Sequence, residues 1–341
     1  MLALIDVVLL AFLAVTAVAI VRLRDLFAAV MVTGIFSLLS AGLFTVMDAV
    51  DVAFTEASVG AGISTILMLA TLAVTQDVEK KRWRRRFSPL ALGVVVVTGA
   101  ALVYGTFDMP RYGDPDAPIH HYLAPHFLEH TPDEINEHIP NVVTAVLASY
   151  RGYDTFGETT VIFTAAVMVL MLLGGAATID RRRPGGGRMG ANVVLRASAK
   201  PLVPLILLFA LYVQFHGDFG PGGGFQAGVI FAAGLVLYAL VYGPDRAQAI
   251  FTGRRLEALV ALGVLIYGGA GVAGIVLGGE FLDYDLLAAD PQDGQHRGIF
   301  LVELGVGITV AAVMTTLFLL FTGRGQPAPW EDRVGESEGT P

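Results

Sequence analysis

Apolar stretches, each near the length of a membrane crossing, alternate with short basic segments and longer acidic ones along the chain. A helix needs about 20 apolar residues to cross the hydrocarbon core. Nine stretches meet or approach this, over residues 2–21, 26–47, 52–75, 89–107, 159–179, 201–215, 225–242, 256–277 and 298–321. The sixth is short and is expected to start earlier, and the seventh follows a glycine run. The first reads as a span rather than a cleaved signal peptide, because it lacks a basic leading region and an A-x-A-like cleavage site. The expected fold is an all-α integral membrane protein of about nine transmembrane helices.

Composition agrees. Hydrophobic residues make up 55% of the 341 and charged residues only 15%, against about 25% charged in globular domains, and the mean hydropathy is +0.66. Cysteine is absent, which removes disulfides, thiolate metal sites, cysteine nucleophiles and iron–sulfur clusters ligated by this chain. A net charge of -8 argues against a nucleic-acid partner.

The basic residues set a direction, since cytoplasmic loops near the spans are rich in Lys and Arg. Arg22 and Arg24, the run Lys80 to Arg86, Arg181, Arg182, Arg183 and Arg188 with Arg196 and Lys200, then Arg246, Arg254 and Arg255, and finally Arg324 and Arg333 all fall on one side. They are nineteen of the 22 Lys and Arg, and only Arg111, Arg151 and Arg297 lie opposite. This alternation puts the N-terminus outside and the C-terminus in the cytoplasm. The outer loops are acidic and hold, at their edges or within, all seven histidines. Two cytoplasmic seams, the Lys80–Arg86 run and the flexible Arg181–Gly187 segment, divide the chain into modules of three, two and four spans over 1–80, 81–190 and 191–341.

Candidate chemistry begins with carboxylates in the spans, where ionisable groups are costly and usually functional. Glu56 lies early in the third span among small residues that let another helix come close. Glu303 lies early in the ninth; an interfacial role reaching headgroup water and a functional one fit it equally. Asp154 and Glu158 are four apart and share a face of a continuous helix. Like charges there repel, which favours a proton held by one of them or recruits a cation; acidic residues at a helix start also suit the dipole. His216-Gly217-Asp218-Phe219-Gly220-Pro221-Gly222-Gly223-Gly224 joins spans six and seven. Its glycines permit backbone that other residues cannot adopt and Pro221 stops helix propagation. A tight outer hairpin accounts for it more simply than a re-entrant turn, and a phosphate loop is excluded by the missing Lys-Ser/Thr ending. His126-Phe127-Leu128-Glu129-His130 matches a short zinc-protease pattern. Pro125 and Pro132 confine any helix there to about a turn and a half, so with His120, His121 and His138 it reads as an outer, pH-sensitive or weakly metal-binding patch or, more simply, as a solvated loop. Neither a catalytic residue nor a metal site is expected. Lys200 is placed at the cytoplasmic interface, not mid-membrane where the pumping subunits that resemble complex I carry a lysine.

Three motifs carry a family resemblance. Thr55-Glu56-Ala57-Ser58-Val59-Gly60-Ala61-Gly62 resembles a three-helix module found at the C-terminal end of MrpA, the large polypeptide of Mrp antiporters, and as a separate polypeptide of membrane-bound hydrogenases. Arg151-Gly152-Tyr153-Asp154-Thr155-Phe156-Gly157-Glu158 is similar to the motif of the two-helix module that follows it. His216-Gly217 with Pro221-Gly222-Gly223-Gly224-Phe225-Gln226-Ala227-Gly228 resembles MrpB of the same complexes. The three occur in the family's order and cover nearly the whole chain. Within it the first two modules run on into the MrpB-like module, and the large antiporter domain is not among them.

The resemblance implies a membrane subunit of an Mrp-type, multi-subunit Na+/H+ antiporter in a prokaryotic inner membrane. Large antiporter-like subunits and lipid would be its partners, Na+ and H+ the transported ions, with no cofactor. It implies ion-translocation roles at Glu56, Asp154 and Glu158, to which Glu303 is added, and a structural role for the glycine run. Two other readings stay open: an ion-translocating subunit of a hydrogenase-like redox complex, and a scaffold whose carboxylates only pair with neighbouring subunits.

Overall fold

The computed structural model describes residues 2–72, 89–111, 113–130, 139–174 and 193–322. The Lys80–Arg86 run, the 181–188 seam, His138, Arg324 and Arg333 lie outside them. The described residues form helices joined by turns and loops, with no strand: α1 Leu2–Arg22, α2 Leu26–Val46, α3 Val50–Leu72, α4 Pro89–Tyr104, α5 Ala124–His130, α6 over 142–150, α7 Gly152–Gly174, α8 Val193–His216, α9 Gly224–Tyr242, α10 Pro244–Ile250, α11 Gly253–Val276 and α12 Pro291–Thr322. Eight of these, α1–α3, α7–α9, α11 and α12, are long and apolar enough to cross a membrane.

The fourth expected span is shorter than read from sequence. Its helix stops at Tyr104, and Thr106 and Phe107 lie in turns. The described part, Pro89–Tyr104, is sixteen residues and covers roughly 24 Å. Three other helices start earlier than hydropathy suggested. α7 begins at Gly152 because its first two turns are polar. α8 begins at Val193 and contains Pro201 and Pro204, which membrane helices tolerate. α12 begins at Pro291, where the Asp290 side chain accepts from the Gln292 N–H at 3.1 Å, and its polar first turns carry His296 and Arg297 beyond the apolar stretch.

α9 and α12 form the buried centre, while α1 and α4 are exposed along nearly their whole length. Small residues bring the central helices together: a Cβ at Gly228 would strike the backbone carbonyl of Gly307 at 2.6 Å, and one at Gly305 that of Gly263, also at 2.6 Å. α12 is thus clasped by α9 on one side and α11 on the other. α3 changes character midway. It is α-helical to Glu56 and π-helical over Ala57–Ser64, and the Thr65 hydroxyl donates to the Gly60 carbonyl at 3.2 Å. This wider turn packs against the small-residue face of α2, with Gly60 on Ser37 and Gly34 on Thr65. α6 buries Ala145 and Ala148 and joins α12 through Ser149, whose hydroxyl donates to Gln295 Oε1 at 3.0 Å.

Candidate ion site beneath the glycine loop

The turn between α8 and α9 closes on itself. The Gly220 N–H donates to the His216 carbonyl at 3.0 Å, and the Gly223 N–H to that of Val213 at 3.2 Å. Gly223 has φ +112°, a backbone state that side chains disfavour. Gly224 is needed for another reason: a Cβ there would collide with the backbone carbonyl of Glu303.

Two other parts of the chain hold this turn. Asn141, buried, receives the Val143 N–H on its side-chain oxygen at 3.0 Å, capping α6. Its amide donates to the carbonyls of Gly220 at 2.9 Å and Gly217 at 3.2 Å, and its backbone N–H to the Asp218 carbonyl at 3.1 Å. The Thr144 hydroxyl adds a bond to Gly217 at 2.7 Å. From α3, Asp51 accepts at 3.4 Å from both the Gly222 N–H and the Asn141 amide. The Gln226 amide donates to the Thr55 hydroxyl at 2.7 Å. The run is therefore more than an outer hairpin, because segments from all along the chain meet on it.

Beneath it lies a cavity of about 300 Å³ whose wall includes Asp51, Glu158, Glu303, Thr55, Thr144 and Gln226. The Glu303 carboxylate rests against the loop, with Oε2 2.8 Å from where a Cβ on Gly217 would stand and Oε1 3.1 Å from one on Gly223. Three carboxylates from α3, α7 and α12 thus line one space that also offers hydroxyl and amide groups. Hard cations favour oxygen ligands of this kind, and protons can move between such groups and water.

The expected site residues divide. Glu158 and Glu303 line the cavity. Asp154, one turn above Glu158 on α7, is exposed and paired with Arg151, whose Nε and Nη2 both lie 2.7 Å from Oδ2. Glu56 is not on the cavity wall. It faces α2, where a Cβ on Gly60 would stand 2.6 Å from its Oε1 and against Ser37, at the residue where α3 turns from α- to π-helix. His216 stacks on Tyr212 with ring centroids 4.9 Å apart. Asp218 faces His296 at 3.3 Å across the top of α12; burial raises its carboxyl pKa above the ordinary value, and the hydrogen bond and charge of His296 only partly offset this. The His126–His130 pattern forms a helix of seven residues. Among the described residues no group of His, Asp and Glu is arranged to hold a metal.

Sequence reasoning missed Asp51, Thr55, Asn141 and Gln226. Asp51 sat one residue outside the expected third span and Asn141 in the long outer loop, so neither drew notice. Two buried tyrosines also escaped it: the Tyr267 hydroxyl donates to the Gly152 carbonyl at 2.7 Å and that of Tyr284 to Ala148 at 3.0 Å, fixing the start of α7.

Eight helices long and apolar enough to cross a membrane, with three carboxylates brought to one cavity wall, define a multi-pass membrane protein. Comparison with known proteins narrows this. Residues 194–316 match the domain related to the MnhB subunit of Na+/H+ antiporter, and two MBH subunits match before it, MbhD over residues 11–77 and MbhE over residues 84–193. A putative antiporter subunit mnhB2 of Staphylococcus aureus is 32% identical over 136 residues, 39% of this chain and 95% of that protein. An uncharacterized protein of Methanocaldococcus jannaschii is 31% identical over 206 residues, 53% of this chain and 77% of that one. Among solved structures, a chain of the Mrp complex from Dietzia sp. superposes with a TM-score of 0.68 at 27% identity, over 91% of this chain and 34% of that one. A chain of the membrane-bound sulfane sulfur reductase, an archaeal respiratory membrane complex, does so with a TM-score of 0.51 at 30% identity, over 67% of this chain and 94% of that one. The chain belongs to the MnhB family of Na+/H+ antiporter subunits and spans about a third of the Mrp-complex chain it matches.

Proposed function

We propose that this chain is the part of a secondary Na+/H+ antiporter complex in which cations and protons pass beside antiporter-like subunits supplied by other chains. The observation that carries this is the cavity beneath the glycine loop, where Asp51, Glu158 and Glu303 meet. Glu158 and Glu303 hold protons or a cation in turn, and Asp154, paired with Arg151, precedes Glu158 by one turn of α7. Glu56, in contact with α2 at the π-helical turn, couples the cavity end of α3 to its other half. The chain brings no cofactor, and its ions are Na+ and H+. Neutralising Glu56 tests the role assigned to it: Glu56→Gln complexes should assemble and lose Na+-dependent proton movement in inverted vesicles. Wild-type antiport at equal assembly would show that Glu56 does not couple α3 to transport.

The likeness to a chain of an archaeal respiratory complex favours a second reading. The same protein would serve a redox-driven complex, and redox-active subunits would then co-purify with it.

A further inference from the structure

Three carboxylates line the cavity beneath the glycine loop, and no Lys, Arg or His is among its lining residues. No side chain on that wall balances their charge, so the cavity calls for protons or a cation. One neutral side chain there is held in a way that suits the cation. Gln226 is the third residue of α9 and only 8% exposed. Its Nε2 donates to the Thr55 hydroxyl at 2.7 Å. Thr55 has a single hydroxyl hydrogen, and it is given to the Asp51 backbone carbonyl at 3.0 Å. The Thr55 oxygen can therefore only receive from Gln226. This fixes which end of the amide faces α3 and turns Oε1 the other way.

Oε1 then stands near Glu303. From the position a Cβ on Gly223 would take, Gln226 Oε1 is 3.6 Å away and Glu303 Oε1 3.1 Å. Among the described residues neither oxygen receives a hydrogen bond. Two acceptors, one of them a carboxylate, thus flank one place with no donor between them. Buried acceptors left so are costly. A water molecule would bond to both and leave the charge unbalanced, whereas a cation meets both needs. Hard cations take carboxylate and amide-carbonyl oxygens together.

We propose that Gln226 is a ligand of the transported cation: Na+ sits between Gln226 Oε1 and the Glu303 carboxylate, with Thr55 aiming the amide. This rests on the reading that ions pass through the cavity, and it names the side chains that hold the cation there. Thr55 is a positioning residue that acts through Gln226. Gly223 keeps the place open, because a side chain on it would enter the gap between the two oxygens.

The test follows Na+-dependent proton movement in inverted vesicles over a range of Na+ concentrations, with assembly of the whole complex matched by blotting. Gln226→Met keeps the length of the side chain and removes the amide. It should raise the KM for Na+ about tenfold, the worth of one contact to a charged group, and change the maximal rate less than about twofold. Thr55→Val leaves Gln226 in place but free to turn; it should raise the KM about threefold, and Thr55→Ser should restore it. An unchanged KM in Gln226→Met, or a lower maximal rate at unchanged KM, overturns the assignment, since a merely structural side chain acts through assembly or rate. Where Gln226→Met does not assemble, an unchanged KM in Thr55→Val overturns it. Glu303→Gln separates this from the cavity reading. Antiport lost there, with a wild-type KM in Gln226→Met, removes Gln226 alone, whereas undiminished antiport in Glu303→Gln removes Glu303 as the cation's carboxylate and the cavity reading with it.

Discussion

Asn141→Ala is the sharpest test of how the glycine loop is held. The substitution removes the amide that meets the Gly217 and Gly220 carbonyls and the oxygen that receives the Val143 N–H. Each neutral hydrogen bond is worth about 1 kcal/mol net, and an N-cap about the same. The loss is therefore about 3 kcal/mol, concentrated where the loop, α3 and α6 meet. Thr144 still holds Gly217, so opening should be local. At about 1.4 kcal/mol per decade, the opening equilibrium rises on the order of a hundredfold. Hydrogen exchange on the assembled complex reads this directly. The amides of Gly220 and Gly223, bonded to His216 and Val213, should exchange about a hundred times faster, while those of α11 keep wild-type rates. Exchange within threefold of wild type at Gly220 and Gly223 would show that Asn141 does not hold the loop.

Two further predictions follow from the same region. Gly224→Ala drives a methyl group into the Glu303 carbonyl and should cost about 1–3 kcal/mol of overpacking, seen as a lower melting temperature of the purified complex; an unchanged melting temperature would mean α9 and α12 can part freely. Asp218, whose carboxyl burial lifts above 3.8, favours the fold when protonated. That contribution is full below the unfolded value and is lost as pH rises through the folded one. Asp218→Asn should flatten the fall in thermal stability across this acid range, and an unaltered pH profile would contradict it.

How far the sequence spoke depends on the kind of signal. Spans such as 2–21 and 225–242 are continuous apolar runs with no competing meaning, and their helices match to within a residue or so. Starts of α7 and α12 were misjudged because helices continue into polar first turns that hydropathy counts as loop. Of the site, Glu303 was legible as a charge early in an apolar span, and Glu158 through its spacing of four from Asp154. Asp51 and Asn141 were not, because each is ordinary in its own segment and acquires meaning only through contacts 171 and 79 residues away, to Gly222 and Gly220. The glycine run looked like a simple turn for the same reason: what it presses against comes from α3, α6 and α12.

The central claim, that ions pass through the cavity these segments enclose, is tested most directly by neutralising its wall. Complexes carrying Asp51→Asn, Glu158→Gln and Glu303→Gln together should be compared with wild type for Na+-dependent proton movement in inverted vesicles, with assembly matched by blotting. The account predicts equal assembly and no antiport. Undiminished antiport in the triple variant would contradict it and leave the chain as a scaffold.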